Sequence, residues 1–124
     1  MFAMNENYKR GEALLKEKRP DEFENLHKNF DDLSPDISRY VIEFAYGDVW
    51  SRPGLDLRTK AIVTVTSLAT MGGAEPQLKS HIQGALKSGC TKEELLEAFI
   101  QMIPYAGLPR ALNALRILKD CVTE

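Results

Sequence analysis

Asp56-Leu-Arg-Thr-Lys-Ala-Ile-Val-Thr-Val-Thr-Ser-Leu-Ala-Thr-Met71-Gly-Gly73 is the stretch whose reading decides the fold of this 124-residue chain. Its centre, Ile62 to Thr66, is β-branched throughout and locally favours a strand. Yet no turn signal interrupts it between Leu57 and Met71, which is long for a strand, and no other segment offers a convincing partner. Asp56 is a helix cap and Gly72-Gly73 a helix stop. The segment therefore reads as a central helix, buried nearly all round, and the chain becomes all-α.

The connection leading into it, Gly47-Asp-Val-Trp-Ser-Arg-Pro-Gly-Leu-Asp56, contains the sole Trp. Pro53 fixes its own φ and pushes Arg52 away from helical geometry, so residues 51–54 form a defined turn. Trp50 and Arg52 presented from a rigid turn make a rim for a small anionic ligand. The alternative is that Trp50 plugs the core and Arg52 faces water.

Farther upstream, Asn5 to Lys18 reads as an exposed amphipathic helix with Tyr8, Leu14 and Leu15 on its apolar side. Arg19-Pro20-Asp21 breaks it, and a second short helix follows with Phe23, Leu26, His27 and Phe30 at helical spacing, His27 reading as structural. Ser34-Pro35-Asp36 starts a third helix, whose inward stripe is Ile37, Tyr40, Val41, Phe44, Ala45 and Val49. Glu43 lies at the margin of that stripe, fit either for acid–base work or for pairing with a cation of a neighbouring subunit.

Downstream, Pro76 opens a helix reaching Ser88 with Leu78, Ile82, Ala85 and Leu86 inward, His81 at the edge and Gly89 as left-handed cap. Thr91-Lys-Glu-Glu94 is a capping box for a helix with Leu95, Leu96, Phe99, Ile100 and Ile103 on its core side. Pro104-Tyr105-Ala106-Gly107 interrupts it. A last helix, Leu108 to Val122, packs Leu112, Leu115, Ile117 and Leu118. The expected architecture is a bundle of six to seven helices in one domain, 1–124, with a helical extension (1–33) before a core (34–122). So many apolar faces in so small a chain point to a homo-oligomer.

Composition narrows the function classes. A chain of this length can bury a core without disulfides or metals. The net charge of −2 argues against a nucleic-acid binder, and the apolar runs are too short and interrupted to span a membrane. The start, Met-Phe-Ala-Met-Asn-Glu, lacks the pattern of a signal peptide, so a cytoplasmic location is the expectation. Cys90 and Cys121 stand far apart without a Cys-x-x-Cys or a His cluster, so they read as buried free thiols and no metal site is expected. Phosphate loops and a Gly-x-Ser-x-Gly elbow are absent. What remains is a set of polar groups at helix edges: Glu43, Arg52, Arg58, His81, Tyr105 and Arg110. An imidazole that trades protons near neutral pH and arginines that fork onto carboxylates suit cofactor-free chemistry on a small carboxylated substrate.

The order of these pieces, 47–56, then Arg58-Thr-Lys60, Lys79-Ser-His-Ile-Gln-Gly-Ala-Leu-Lys-Ser-Gly89, Thr91-Lys-Glu-Glu94 and Tyr105-Ala-Gly-Leu-Pro109, resembles the carboxymuconolactone decarboxylase family over residues 35–120. The resemblance implies the helical fold of alkylhydroperoxidase-D-like proteins and a ring-shaped homo-oligomer, commonly a hexamer of three dimers. It also implies cofactor-free decarboxylation of 4-carboxymuconolactone to the 3-oxoadipate enol-lactone, a step in aromatic catabolism. The peroxidase branch of that superfamily carries Cys-x-x-Cys-x-x-x-His; here Ala74 and Gln77 stand at the cysteine positions and only His81 is kept. On this reading His81 donates the proton, Arg52 holds a substrate carboxylate, Trp50 walls the pocket, Arg58 is a further substrate-binding residue, and Glu43 and Tyr105 orient groups around it. Trp50, Arg52 and His81, from one chain or two, are expected around a common hollow. A thiol-dependent antioxidant protein of the same fold and a non-catalytic, small-molecule-binding oligomer are the rival readings.

Overall fold

The computed structural model describes residues 4–123. In order, the elements are α1 (Glu6–Lys18), α2 (Pro20–Phe30), α3 (Pro35–Tyr40), a π-helix π1 (Val41–Trp50), α4 (Leu57–Met71), α5 (Glu75–Lys87), α6 (Lys92–Gln101), α7 (Ile103–Ala106) and α8 (Leu108–Thr123). No strand occurs among the described residues, so the fold class is all-α. The chain divides into two compact units between Leu55 and Asp56.

Caps written in the sequence set the helix starts. The Asn5 side chain accepts from the Tyr8 amide at 2.8 Å, Ser34 from Asp36 at 3.2 Å and Asp56 from Thr59 at 2.8 Å. Thr91 and Glu94 complete a reciprocal capping box at 3.1 and 2.8 Å.

The first unit is built on the contact between α1 and π1. Tyr8, Leu15, Leu26, Ile42 and Tyr46 form its core, with Phe23 and Trp50 packed at the margin. Helix α1 is thus no exposed amphipath: Leu15 is fully buried. Two glycines allow this. A Cβ on Gly11 would collide with the Ile42 carbonyl, and one on Gly47 with the Asn7 carbonyl, so the two backbones touch where side chains are missing. Arg10 Nε then donates to the Gly47 carbonyl at 3.3 Å.

The stripe expected on the third helix is out of phase. A π-helix bonds i to i+5, so residues four and five apart share a face, and a periodicity of 3.6 loses step within two turns. Ile42, Tyr46 and Gly47 go inward, whereas Tyr40 (60% exposed), Phe44 (64%) and Val49 (47%) lie outside.

In the second unit α4 packs on α5, α6 and α8. The β-branched run is helical, and Thr64 and Thr66 satisfy their hydroxyls on the Lys60 and Ile62 carbonyls, both at 2.8 Å. Burial follows one track, Ala61, Val65 and Ala69, while Val63 and Met71 are exposed, so α4 is not enclosed all round. Gly72 and Gly73, at φ 68° and 75°, end it. Phe99, Leu95 and Ile82 are fully buried large side chains of this unit, Phe99 the largest. On α8 the inward track is Ala111, Ala114 and Leu118, not the larger Leu112, and on α6 Ile100 faces out. Alanine on the inner face lets helix axes approach closely, an outcome that ranking residues by hydrophobic size does not find.

Candidate active site

In the first unit, Glu43 is half-buried on π1 with its carboxylate 3.6 Å from Arg39, which also binds Asp36 at 3.1 Å. Its charge is therefore met by its own chain, from the last turn of α3, a third outcome beside the two expected for it. Trp50 lies parallel to Tyr46 with ring centroids 5.7 Å apart, at the edge of the core. Burial chiefly raises the pKa of Tyr46, whose hydroxyl accepts from Arg19 at 3.4 Å. Trp50 thus packs against the core of the first unit while remaining only partly buried. Arg52 is exposed on the turn after π1, its amide donating to the Val49 carbonyl at 3.2 Å. The Ser51 hydroxyl ties that turn back to the Gly47 carbonyl at 2.5 Å.

His27, read as structural, bonds Asp31 at 2.7 Å and meets Phe23 edge-on at 4.8 Å. Asp31 also accepts from buried Ser38 at 2.7 Å; that hydroxyl first, and His27 second, lower the Asp31 pKa.

The second unit carries the other candidates. His81 is half-buried on α5, next in sequence to fully buried Ile82. The dithiol positions of the peroxidase pattern are the N-cap of α5, Ala74, and its first-turn Gln77. Arg58 is engaged differently from expectation: its guanidinium forks onto Glu94, with Nε 3.0 Å from one oxygen and Nη2 on the other. That fork is the main reason the Glu94 pKa falls to about 2. Arg58, expected among the substrate-binding groups, thus pairs with a carboxylate of its own chain, bracing the first turn of α4 against that of α6. Tyr105 stands 83% exposed on the short α7.

Cys90 is buried, and its thiol lies 3.7 Å from the Arg58 carbonyl, which accepts from it. Desolvation, then the Glu94 charge, raises its pKa, the reverse of what an attacking thiolate needs. Cys121 is half-buried on α8, and neither cysteine forms a disulfide. Among the described residues no group of three His, Cys, Asp or Glu side chains could hold a metal. None of the described helices is long and apolar enough to cross a membrane.

One feature of the second unit had no counterpart in the sequence reading. A hollow of about 260 Å³ opens where α4 ends, α5 begins and α8 passes, with Arg110, Glu75 and Asn113 on its walls. Arg110 was among the edge cations; the signal for its setting was Gly72-Gly73, whose positive φ carries the chain around the guanidinium.

Comparison with known proteins adds identity to this geometry. Residues 35–120 match the model of the carboxymuconolactone decarboxylase family. The chain is 36% identical over 93 residues to 4-carboxymuconolactone decarboxylase of Acinetobacter baylyi, covering 75% of this chain and 69% of that protein. It is equally 36% identical over 93 residues to an uncharacterized 15.0 kDa protein of Paracoccus denitrificans, covering 74% and 69%. It is 29% identical over 101 residues to nitrosuccinic acid decarboxylase of Metarhizium robertsii, covering 82% and 70%.

Proposed function

This chain belongs to the carboxymuconolactone decarboxylase family, and from that premise we propose that it is a decarboxylase that cleaves a small carboxylated lactone, 4-carboxymuconolactone or a close relative, without a cofactor. The observation that carries this reading is the half-buried His81 on a helix whose dithiol positions are Ala74 and Gln77, inside the matched segment. Two decarboxylases of different named substrates among the relatives support the reaction type more firmly than the substrate.

The chemistry asks for few groups. The bond between carbon and carboxylate breaks, carbon dioxide leaves, and the electron pair passes into the conjugated lactone carbonyl. His81, as imidazolium, returns a proton to carbon to give the enol-lactone. Arg52 is assigned to the substrate carboxylate and Trp50 to the pocket wall. Glu43 is assigned to orientation, and Tyr105 to a contact completed by a neighbouring copy. Arg58 acts by bracing α4 on Glu94. The exposed apolar groups Tyr40, Phe44 and Val49 support assembly into a homo-oligomer, proposed as a hexamer of three dimers, and the setting proposed is cytoplasmic aromatic catabolism.

His81→Ala should lower kcat on 4-carboxymuconolactone by ~10²-fold or more, measured by loss of lactone absorbance. An unchanged kcat removes His81 from the mechanism. Carbon dioxide release retained by the Cys90→Ser, Cys121→Ser double variant supports a thiol-independent reaction; peroxide turnover present in the wild type and lost in that variant favours the antioxidant reading, which burial of Cys90 opposes.

A further inference from the structure

The hollow of the second unit has the chemistry of a binding site. Arg110 Nη1 donates to the Met71 carbonyl at 2.9 Å, at the end of α4. It can lie there because Gly72 has no side chain: a Cβ would occupy the place of the guanidinium. The group is thus pinned by one N–H while its other donors remain on the wall of the hollow. Opposite in charge is Glu75, one of whose oxygens accepts the Gly73 amide at 3.3 Å. No ion pair joins Glu75 to Arg110, although both line the same space. Asn113 uses its carbonyl oxygen to accept from Arg116 at 3.1 Å, which leaves its NH₂ to donate. Leu68, Ala69 and Leu78 supply an apolar floor.

A cation and an anion that line one hollow without pairing, together with a carboxamide donor and aliphatic side chains, describe a ligand by complementarity. We propose that this hollow binds a small aliphatic α-amino acid as its zwitterion, carboxylate on Arg110 and Asn113, ammonium on Glu75, side chain on Leu68, Ala69 and Leu78. A simple carboxylate meets the Glu75 charge uncompensated, and a simple amine meets Arg110. A hollow of about 260 Å³ admits about nine non-hydrogen atoms at ~30 Å³ each, enough for valine. The assignment is independent of the decarboxylase reading, and binding, not turnover, tests it.

L-Valine titrated into the full-length chain should shift the ¹H–¹⁵N signals of Gly72, Gly73, Ala74 and Asn113 saturably, with a Kd on the order of millimolar. 3-Methylbutanoate, which lacks the ammonium, and isobutylamine, which lacks the carboxylate, should each bind ~10-fold more weakly or worse. Arg110→Gln should weaken valine binding by ~10-fold. Glu75→Gln should abolish the preference for valine over 3-methylbutanoate. Because Glu75→Gln leaves the Arg110 contact with α4 in place, it decides the matter even if Arg110→Gln fails to fold. Absence of saturable valine shifts up to ~50 mM, 3-methylbutanoate binding as tightly as valine, or an unchanged preference in Glu75→Gln overturns the proposal.

Discussion

The two units of this chain reach close packing by opposite means. In the first, α1 and π1 touch through bare backbone at Gly11 and Gly47, and the core is a thin layer of aromatics and leucines around that contact. In the second, ordinary α-helices separated by alanine and valine tracks enclose a large central side chain, Phe99. One unit has no room for an added methyl at its centre; the other depends on a large group already there. The difference predicts that the first fails by overfilling and the second by emptying.

The largest effect belongs to emptying. Phe99→Ala should cost ~3–5 kcal/mol of unfolding free energy, read from urea denaturation by far-UV circular dichroism. A loss below ~1 kcal/mol means the second unit collapses onto the void and lacks the rigid centre described. Next comes overfilling: Gly47→Ala or Gly11→Ala should cost ~1–3 kcal/mol or more, since the obstacle is a carbonyl that cannot swing aside. Gly54→Ala, with nothing within 4 Å of the added carbon, should change stability by less than ~0.5 kcal/mol in the same assay. Equal effects at Gly47 and Gly54 break the comparison.

The smallest effect is electrostatic. In the folded chain Arg58 holds the Glu94 carboxyl at about 2, below its ordinary 4.5. A depressed carboxyl favours folding in full above its unfolded value, and that contribution drains away as pH falls from 4.5 towards 2. Glu94→Gln should therefore flatten the acid limb of stability in that window. Asp31 in the first unit and Asp56 in the second are lowered as well, so part of the slope survives the substitution. An acid limb identical to that of the wild type removes the Arg58–Glu94 fork from the account.

What could be read in the sequence tracks how local the physics is. Capping residues act within three positions, so Asn5, Ser34, Asp56 and the Thr91–Glu94 box mark their helices without tertiary information. The helical state of Ile62–Thr66 followed from length and the missing partner strand, against local propensity. Facing was harder. The π winding of Val41–Trp50 breaks the period on which any stripe is drawn, so Phe44 and Val49 went to the wrong side. The inner tracks of α4 and α8 are alanine-rich, and small residues leave almost no hydrophobic signature. At the candidate site, residue type and spacing single out Glu43 and Arg58 but do not show that Glu43 pairs with Arg39 or Arg58 with Glu94. Partner choice is set by which helices meet, and spacing alone does not carry it. Glu75 and Asn113 escaped for the same reason: each is an ordinary surface residue until α5 and α8 bring it beside Arg110.

The stacking of Tyr46 on Trp50 has a practical consequence. Because the chain has one tryptophan and it lies in the first unit, indole fluorescence is a private reporter of that unit. A phenol face held close to the indole passes excitation to it, so the share of Trp50 emission that arrives by way of tyrosine should fall when the first core opens. Emission followed beside the helical signal of the whole chain then says whether the two units melt together or in turn.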